Sequence, residues 1–278
     1  MDITEIIKEA FVFPSKDLGK LAIYIVLYVV LGALMVGATI SSIAGLMDTS
    51  ALIGVGAIIF IISFILSFIL LGYQIGVVKS GIDLDETAPE YAWKDNLIGG
   101  IKYFIVMIVY YIIPAVVVLI TAFATNVPGK ATEILNQLAV APTTVNATMN
   151  ATSPAVNVIS NTLMNDLASS LAIVGVVAII LFIIFAFIQT MASARLANTG
   201  SLAEAVNIIE AFKDIGRIGY GKVIGTIILS VIIVLIINVI ISLITQYVPA
   251  ISIITIIVTP YLTFFTSRIT GLLYSDIA

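Results

Sequence analysis

Apolar residues in this chain run unbroken instead of alternating or recurring at helical spacing. Five stretches hold no Asp, Glu, Lys or Arg: Leu21–Leu46, Ala51–Val78, Tyr103–Ala124, Leu167–Met191 and Val223–Ser267. A helix rises about 1.5 Å per residue and the hydrocarbon core of a bilayer is about 30 Å thick, so about 20 apolar residues make one crossing. The first four stretches each supply one. The fifth is about twice the length one crossing uses and must fold back. Gln246-Tyr247-Val248-Pro249 is the place for that, because polar groups, an interfacial aromatic and a helix breaker coincide there. The pattern predicts an all-α, polytopic membrane protein with one membrane domain over 1–278. Its six transmembrane helices lie near 21–46, 51–78, 103–124, 167–191, 223–244 and 250–271.

Composition leads to the same class: with 61% apolar and 10% charged residues, too few polar side chains exist to cover a water-facing surface. Eleven of the twelve Lys and Arg fall on one side of the six-helix topology and only Lys130 on the other. The positive-inside rule makes the first side cytoplasmic, which predicts the cell membrane as location, both termini inside, and 125–166 as an external segment. The net charge of −4 leaves this unchanged, since orientation follows Lys and Arg. The acidic start (Asp2, Glu5, Glu9) and the lack of a short apolar run with a cleavage site argue against a cleaved signal peptide.

There is no Cys and no His, so disulfides, thiolate or imidazole metal sites and His-dependent acid–base catalysis are excluded. No phosphate loop, serine-nucleophile motif or paired intramembrane Asp stands out. The expectation is a protein that is not an enzyme, without catalytic residues, cofactor, metal or nucleic-acid partner. Asp83, Asp85, Glu86, Glu90 and Asp95 form the densest acidic group, but without the Gly and ordered spacing of a calcium loop they read as a solvated segment.

Between the spans, residues 1–14 place Ile3, Ile6, Ile7, Ala10 and Phe11 opposite Asp2, Glu5, Lys8 and Glu9. Within 1–20 this predicts an interfacial helix on the inner leaflet; a helix packed on the other cytoplasmic loops has the same pattern. Residues 79–102 and 195–222 each read as a turn, a short amphipathic helix, a Gly-rich turn and the next span. The first has a helix start near Pro89. The second opens with the capping box Ser201 to Glu204 and carries an apolar stripe of Ala205, Ile208, Ile209 and Phe212. At an offset of about 119, Trp93-Lys94-Asp95 falls on Phe212-Lys213-Asp214, which suggests a parallel internal repeat of spans two and three in spans four and five. Trp93 and Phe212 are the candidate interface anchors. In the external segment, Ile134, Leu135 and Leu138 can make a short helix, and Asn146 and Asn150 head sequons that accept N-glycans in a host that makes them.

No ionisable residue lies near any midplane, which removes the usual machinery of coupled transport. The polar candidates within the spans are Gln74 and Gln189 near inner ends, Tyr110 and Tyr111 beside Pro114, and Asn238 with Pro260 in the neighbouring span. Proline can free carbonyls for a substrate at that depth; ordinary kinks and interhelical hydrogen bonds account for the same residues.

The opening EAFVFPSKDLGKLAIY, the stretch GYQIGVVKSGIDLDETAPEYAWKDNLIGGIKYFIVMIVYYIIP, the loop MASARLANTGSLAEAVNIIEAFKDIGRIGYGK and the terminal SRITGLLYSD together resemble an uncharacterised family of multi-pass membrane proteins, domain of unknown function 4013. That family is frequent in archaea, so the resemblance implies an archaeal membrane protein and this fold, but no activity. More loosely, the two-copy plan is similar to the membrane domain beside some glycerophosphodiester phosphodiesterases. The role expected from the residues is the organisation of lipid or partner proteins at the inner leaflet, with membrane lipids, a membrane-protein partner or a second copy as companions. The alternative is an uncoupled transporter or channel for a small solute or lipid.

Overall fold

A computed structural model describes residues 1–47, 50–140 and 160–278. The described residues form α1 (Ile3–Lys16), α2 (Leu18–Met47), α3 (Ser50–Ile82), α4 (Trp93–Ala124), α5 (Val127–Val140), α6 (Asn161–Thr199), α7 (Leu202–Ala205), α8 (Ile208–Ile218), α9 (Tyr220–Tyr247) and α10 (Thr255–Tyr274). A 3-10 turn, Pro249–Ile254, separates α9 from α10 where the long apolar run has to break. Six of these helices (α2, α3, α4, α6, α9 and α10) are long and apolar enough to cross a membrane. This is an all-helical, multi-pass membrane protein.

Most of the helices outrun the windows that charge marks off, because a charged side chain does not end a helix. Lys79 lies inside α3, and α6 runs 39 residues until Gly200 takes a positive φ of 66°. The loop after α3 differs from expectation: helix starts at Trp93, not near Pro89, and continues through Gly99-Gly100 into the third span. Its counterpart after α6 does break, at Gly219 with φ 109°, between α8 and α9. The glycines of α4 serve a close helix crossing instead. A Cβ on Gly72 would overlap the carbonyl oxygen of Asn96, and one on Gly100 would lie 3.0 Å from the Gly72 nitrogen.

The chain divides into two compact units, 1–109 with 187–278, and 110–186. In the first, α10 is the centre. It is the least apolar of the six, yet 61% of its span window is buried, against 6% for α6 and α9. This is the arrangement lipid selects: the helix with hydroxyls and an arginine is wrapped in protein, and the most apolar helices face the acyl chains. One core joins Phe13, Leu21, Tyr24, Leu70, Tyr73, Val77, Ala88 and Phe264; another joins Ile6 and Ala10 to Leu262, Phe265, Ile269, Leu272 and Leu273. Ile6 and Ala10 of the predicted α1 stripe are thus buried against α10 inside the protein, with Ile7 partly so, while Phe11 stays 43% exposed. Asp2 and Glu5 close the N-terminus of α1 as a capping box.

The second unit holds the rest of α4, α5 and the first part of α6. α4 ends where Asn126 takes a positive φ of 55°. Lys130 donates to Ser170 Oγ at 2.7 Å and to the Asp166 carbonyl, tying α5 to α6. Tyr111 stacks on Phe182 at 6.0 Å.

Candidate functional site

Threonines at 255, 259, 263, 266 and 270 recur every three or four residues and so share one face of α10. Within the first unit this face borders a cavity of about 130 Å³ lined by Gln74, Ile75 and Val78 of α3, Tyr103 of α4, Gln189, Thr190 and Ser193 of α6, and Thr266, Ser267 and Thr270. No ionisable acid or base other than the Tyr103 phenol lines it. An engineered apolar cavity of roughly 150 Å³ holds a benzene molecule, so the space suits several waters or one solute slightly smaller than that. A second cavity of about 230 Å³ lies further along α10, lined by Val234, Asn238, Thr259, Leu262, Thr263 and Thr266. Thr266 belongs to both. Thr259 and Thr270 are eleven positions apart in α10, about 16 Å of rise and about half the hydrocarbon thickness.

The hydroxyls follow the usual solution for polar side chains in lipid, donating to carbonyls one turn back. Thr263 donates to the Thr259 carbonyl at 2.9 Å, Thr266 to that of Leu262 at 3.0 Å, Thr270 to that of Thr266 at 3.1 Å, and Ser193 to that of Thr190 at 2.7 Å. The amides take phenol partners: Gln189 Nε2 donates to Tyr103 Oη at 3.2 Å and Gln74 Nε2 to Tyr24 Oη at 2.9 Å. Ser267 is buried, lines the cavity, and has no hydrogen-bond partner among the described residues.

Beyond the cavity, at the basic end of the first unit, the charges are paired. Arg268 forks onto Glu9 (Nε to Oε2 3.0 Å, Nη2 to Oε1 2.7 Å), reaches Ser80 Oγ, and lies over the Phe13 ring at 4.2 Å. Asp214, fully buried, accepts from Arg195 at 2.8 Å, Arg217 at 2.7 Å and Tyr274 at 3.2 Å; Arg195 also holds Glu204 at 2.7 Å. On the exposed side of α8, the Lys213 ammonium, then Arg217, keep the Glu210 carboxyl below its ordinary range, and Asp214 pushes the Arg217 guanidinium up. The Lys20 backbone N–H, 3.1 Å from Asp17 Oδ1, is the main cause of a lowered Asp17 carboxyl. Burial raises the Tyr91 phenol, which stacks on Tyr73 at 4.1 Å and donates to the Lys20 carbonyl.

Residues 55–246 match a family described as a protein of unknown function, DUF4013. The chain belongs to that family. No curated protein and no solved structure matches it. The family region takes in most of α3, all of α4 to α8 and all but the last residue of α9, and with them Gln74, Tyr103, Gln189, Thr190 and Ser193 of the cavity. Helices α1, α2 and α10 lie outside it, as do the opening and closing stretches that add to the resemblance in sequence.

Within this family member the residues singled out from sequence are scattered. Gln189 lines the first cavity and Asn238 the second; Pro260 is buried between Thr259 and Thr263, where its missing N–H leaves the Ile256 carbonyl without a helix donor. Tyr111 and Pro114 lie in the other unit and join neither cavity. Trp93 is half exposed and stacked on Tyr91; Phe212 is half exposed beside Tyr220. Asn146 and Asn150 lie outside the described residues. The expected apolar stripe of the second loop is turned: α8 buries Ala211, Asp214 and Ile215 and leaves Ile209 and Phe212 outward. Asp214 explains this, since its carboxylate must reach Arg195. Among the described residues no three acidic side chains gather as a metal site would require; Asp83 pairs with Lys79 and Glu90 with Lys20. Sequence reading missed Arg195, Asp214, Arg268 and the threonine ladder. The ladder's regular spacing was the available signal.

Proposed function

We propose that this protein is a non-enzymatic, uncoupled conduit for a small uncharged solute, which binds in the cavity at Gln189 and moves along the threonine face of α10 past Asn238. One observation carries the reading: two charge-free cavities share Thr266, the first with a polar lining and the second setting Asn238 and three threonines among Val234 and Leu262. Acyl chains gain nothing from such a surface, and a polar solute loses little of its hydration there. The reading includes no chemical step. It sets the protein in the cell membrane with both termini and the basic end cytoplasmic, following the asymmetry of Lys and Arg.

Reconstituted vesicles test it by light scattering after an osmotic shift with urea or glycerol. Solute entry faster than in empty vesicles, and slowed by Thr266→Val and Asn238→Leu, is the expected result. Entry at the empty-vesicle rate overturns it.

A second reading, organisation of lipid at the inner leaflet, is favoured by the outward aromatics. Trp93 and Tyr220, whose amphipathic rings suit the headgroup level, and the apolar Ile209 and Phe212 are each at least 47% exposed at the basic end. Anchoring of this kind is compatible with passage and becomes the leading role where no flux is found.

A further inference from the structure

The hydrogen-bond polarity of the first cavity selects among uncharged solutes. A carbonyl carries no proton, so Ser193, Thr266 and Thr270 are the donors in their bonds to the Thr190, Leu262 and Thr266 carbonyls. What these side chains turn towards the cavity is oxygen with unused lone pairs. Gln74 and Gln189 each give one amide N–H to a phenol and keep the second N–H and the Oε1 acceptor. Ser267 is different. Its hydroxyl has no partner among the described residues and is not sealed from the cavity, so it holds an uncommitted proton at the cavity wall. The site thus sets five acceptors, three hydroxyl oxygens and two amide oxygens, against three donors, the Ser267 hydroxyl and one N–H of each glutamine.

Charge narrows the choice. An anion would face lone pairs, and a cation would find no carboxylate in the lining, since Glu9, Glu204 and Asp214 are already committed to Arg268 and Arg195. Resting on the conduit reading, we infer that the cavity takes a small neutral solute of the urea or primary-amide class. Its N–H groups donate to the Ser193, Thr266 and Thr270 oxygens, and its single carbonyl accepts from Ser267. Urea is smaller than benzene and fits the volume of about 130 Å³. A polyol, whose donors and acceptors are balanced, leaves lone pairs in the site unanswered.

The test uses the full chain in vesicles and in detergent. Uptake of radiolabelled urea is compared with that of glycerol, formate and methylammonium, and the thermal midpoint of the solubilised protein is read against urea below denaturing concentration and against acetamide. Urea and acetamide should enter about tenfold faster than the other three, and acetamide should raise the midpoint. Ser267→Ala and the near-isosteric Thr266→Val should each lower urea entry about three- to tenfold, the range for one lost neutral hydrogen bond. Equal entry of urea and glycerol overturns the amide selectivity and leaves the conduit standing. No entry of any solute, with an acetamide-dependent midpoint that Ser267→Ala abolishes, overturns the conduit and keeps the site. No entry and no midpoint shift overturn both.

Discussion

Replacing Gly72 by alanine drives a methyl into the backbone of α4. The added carbon would overlap the Asn96 carbonyl oxygen and lie 2.8 Å from its Cα, where carbon atoms prefer about 3.5–4.0 Å. The obstacle is main chain, so no rotamer relieves it, and α3 and α4 must part by about 1 Å. Overpacking of this kind costs about 1–3 kcal/mol, and the upper end applies against backbone. Alanine returns about 1 kcal/mol through helix preference, so the net loss is about 2 kcal/mol. Gly54 in the same helix has open space where its methyl would go, with nothing within 4 Å, and Gly54→Ala should be neutral or mildly stabilising. Unfolding in mixed micelles, followed by the fluorescence of Trp93, the one tryptophan, measures both at the start of α4. Gly100→Ala meets the Phe68 backbone across the same crossing. Once one methyl has parted the helices the second costs less, so the double variant should lose less than the two singles together. If Gly72→Ala unfolds at the same denaturant level as Gly54→Ala, the close α3–α4 crossing is wrong.

Asp214→Ala strips Arg195 and Tyr274 of a buried acceptor; with Glu204 still on Arg195, the loss should be about 3 kcal/mol, the low end for a broken buried pair, measured in the same micelles. Arg268→Met should release α1, seen as faster amide exchange over Ile3–Lys16, because Glu9 loses its forked partner. Acid should loosen α8 in a defined window. Glu210 is held below its ordinary value of 4.5, so its contribution is complete above that value and is lost as pH falls through the lower folded one. Exchange of Ile208–Ile218, corrected for intrinsic rates, should stay flat from about pH 8 to about pH 5 and rise below about 4.5. Trp93→Asp and Phe212→Asp should raise labelling of both loops by an aqueous probe; unchanged labelling refutes anchoring there.

The six spans were legible because lipid imposes a length and an absence of charge, and the chain meets both. The break before Pro249 was legible for the same reason. The inward face of α8 was not: Asp214 reads as a solvated residue until Arg195, nineteen positions earlier, is brought to it at 2.8 Å. Gly99-Gly100 reads as a turn because glycine serves both turns and close crossings, and only the approach of Gly72 decides between them. Gln189 and Asn238 were visible as polar residues in apolar spans. Their relation to Thr266 needed the packing of α3, α6, α9 and α10, which no periodicity encodes.

The burial of α10 bears on how the protein is made. A buried arginine near its basic end and a row of hydroxyls make this segment the least apolar of the six, and the arginine needs a counter-ion once it leaves water. Glu9, earlier in the chain than α10, supplies that counter-ion in the folded protein. The pairing therefore ties α10 to a helix on the far side of five spans in sequence, so α10 can be completed only when α1 is in place.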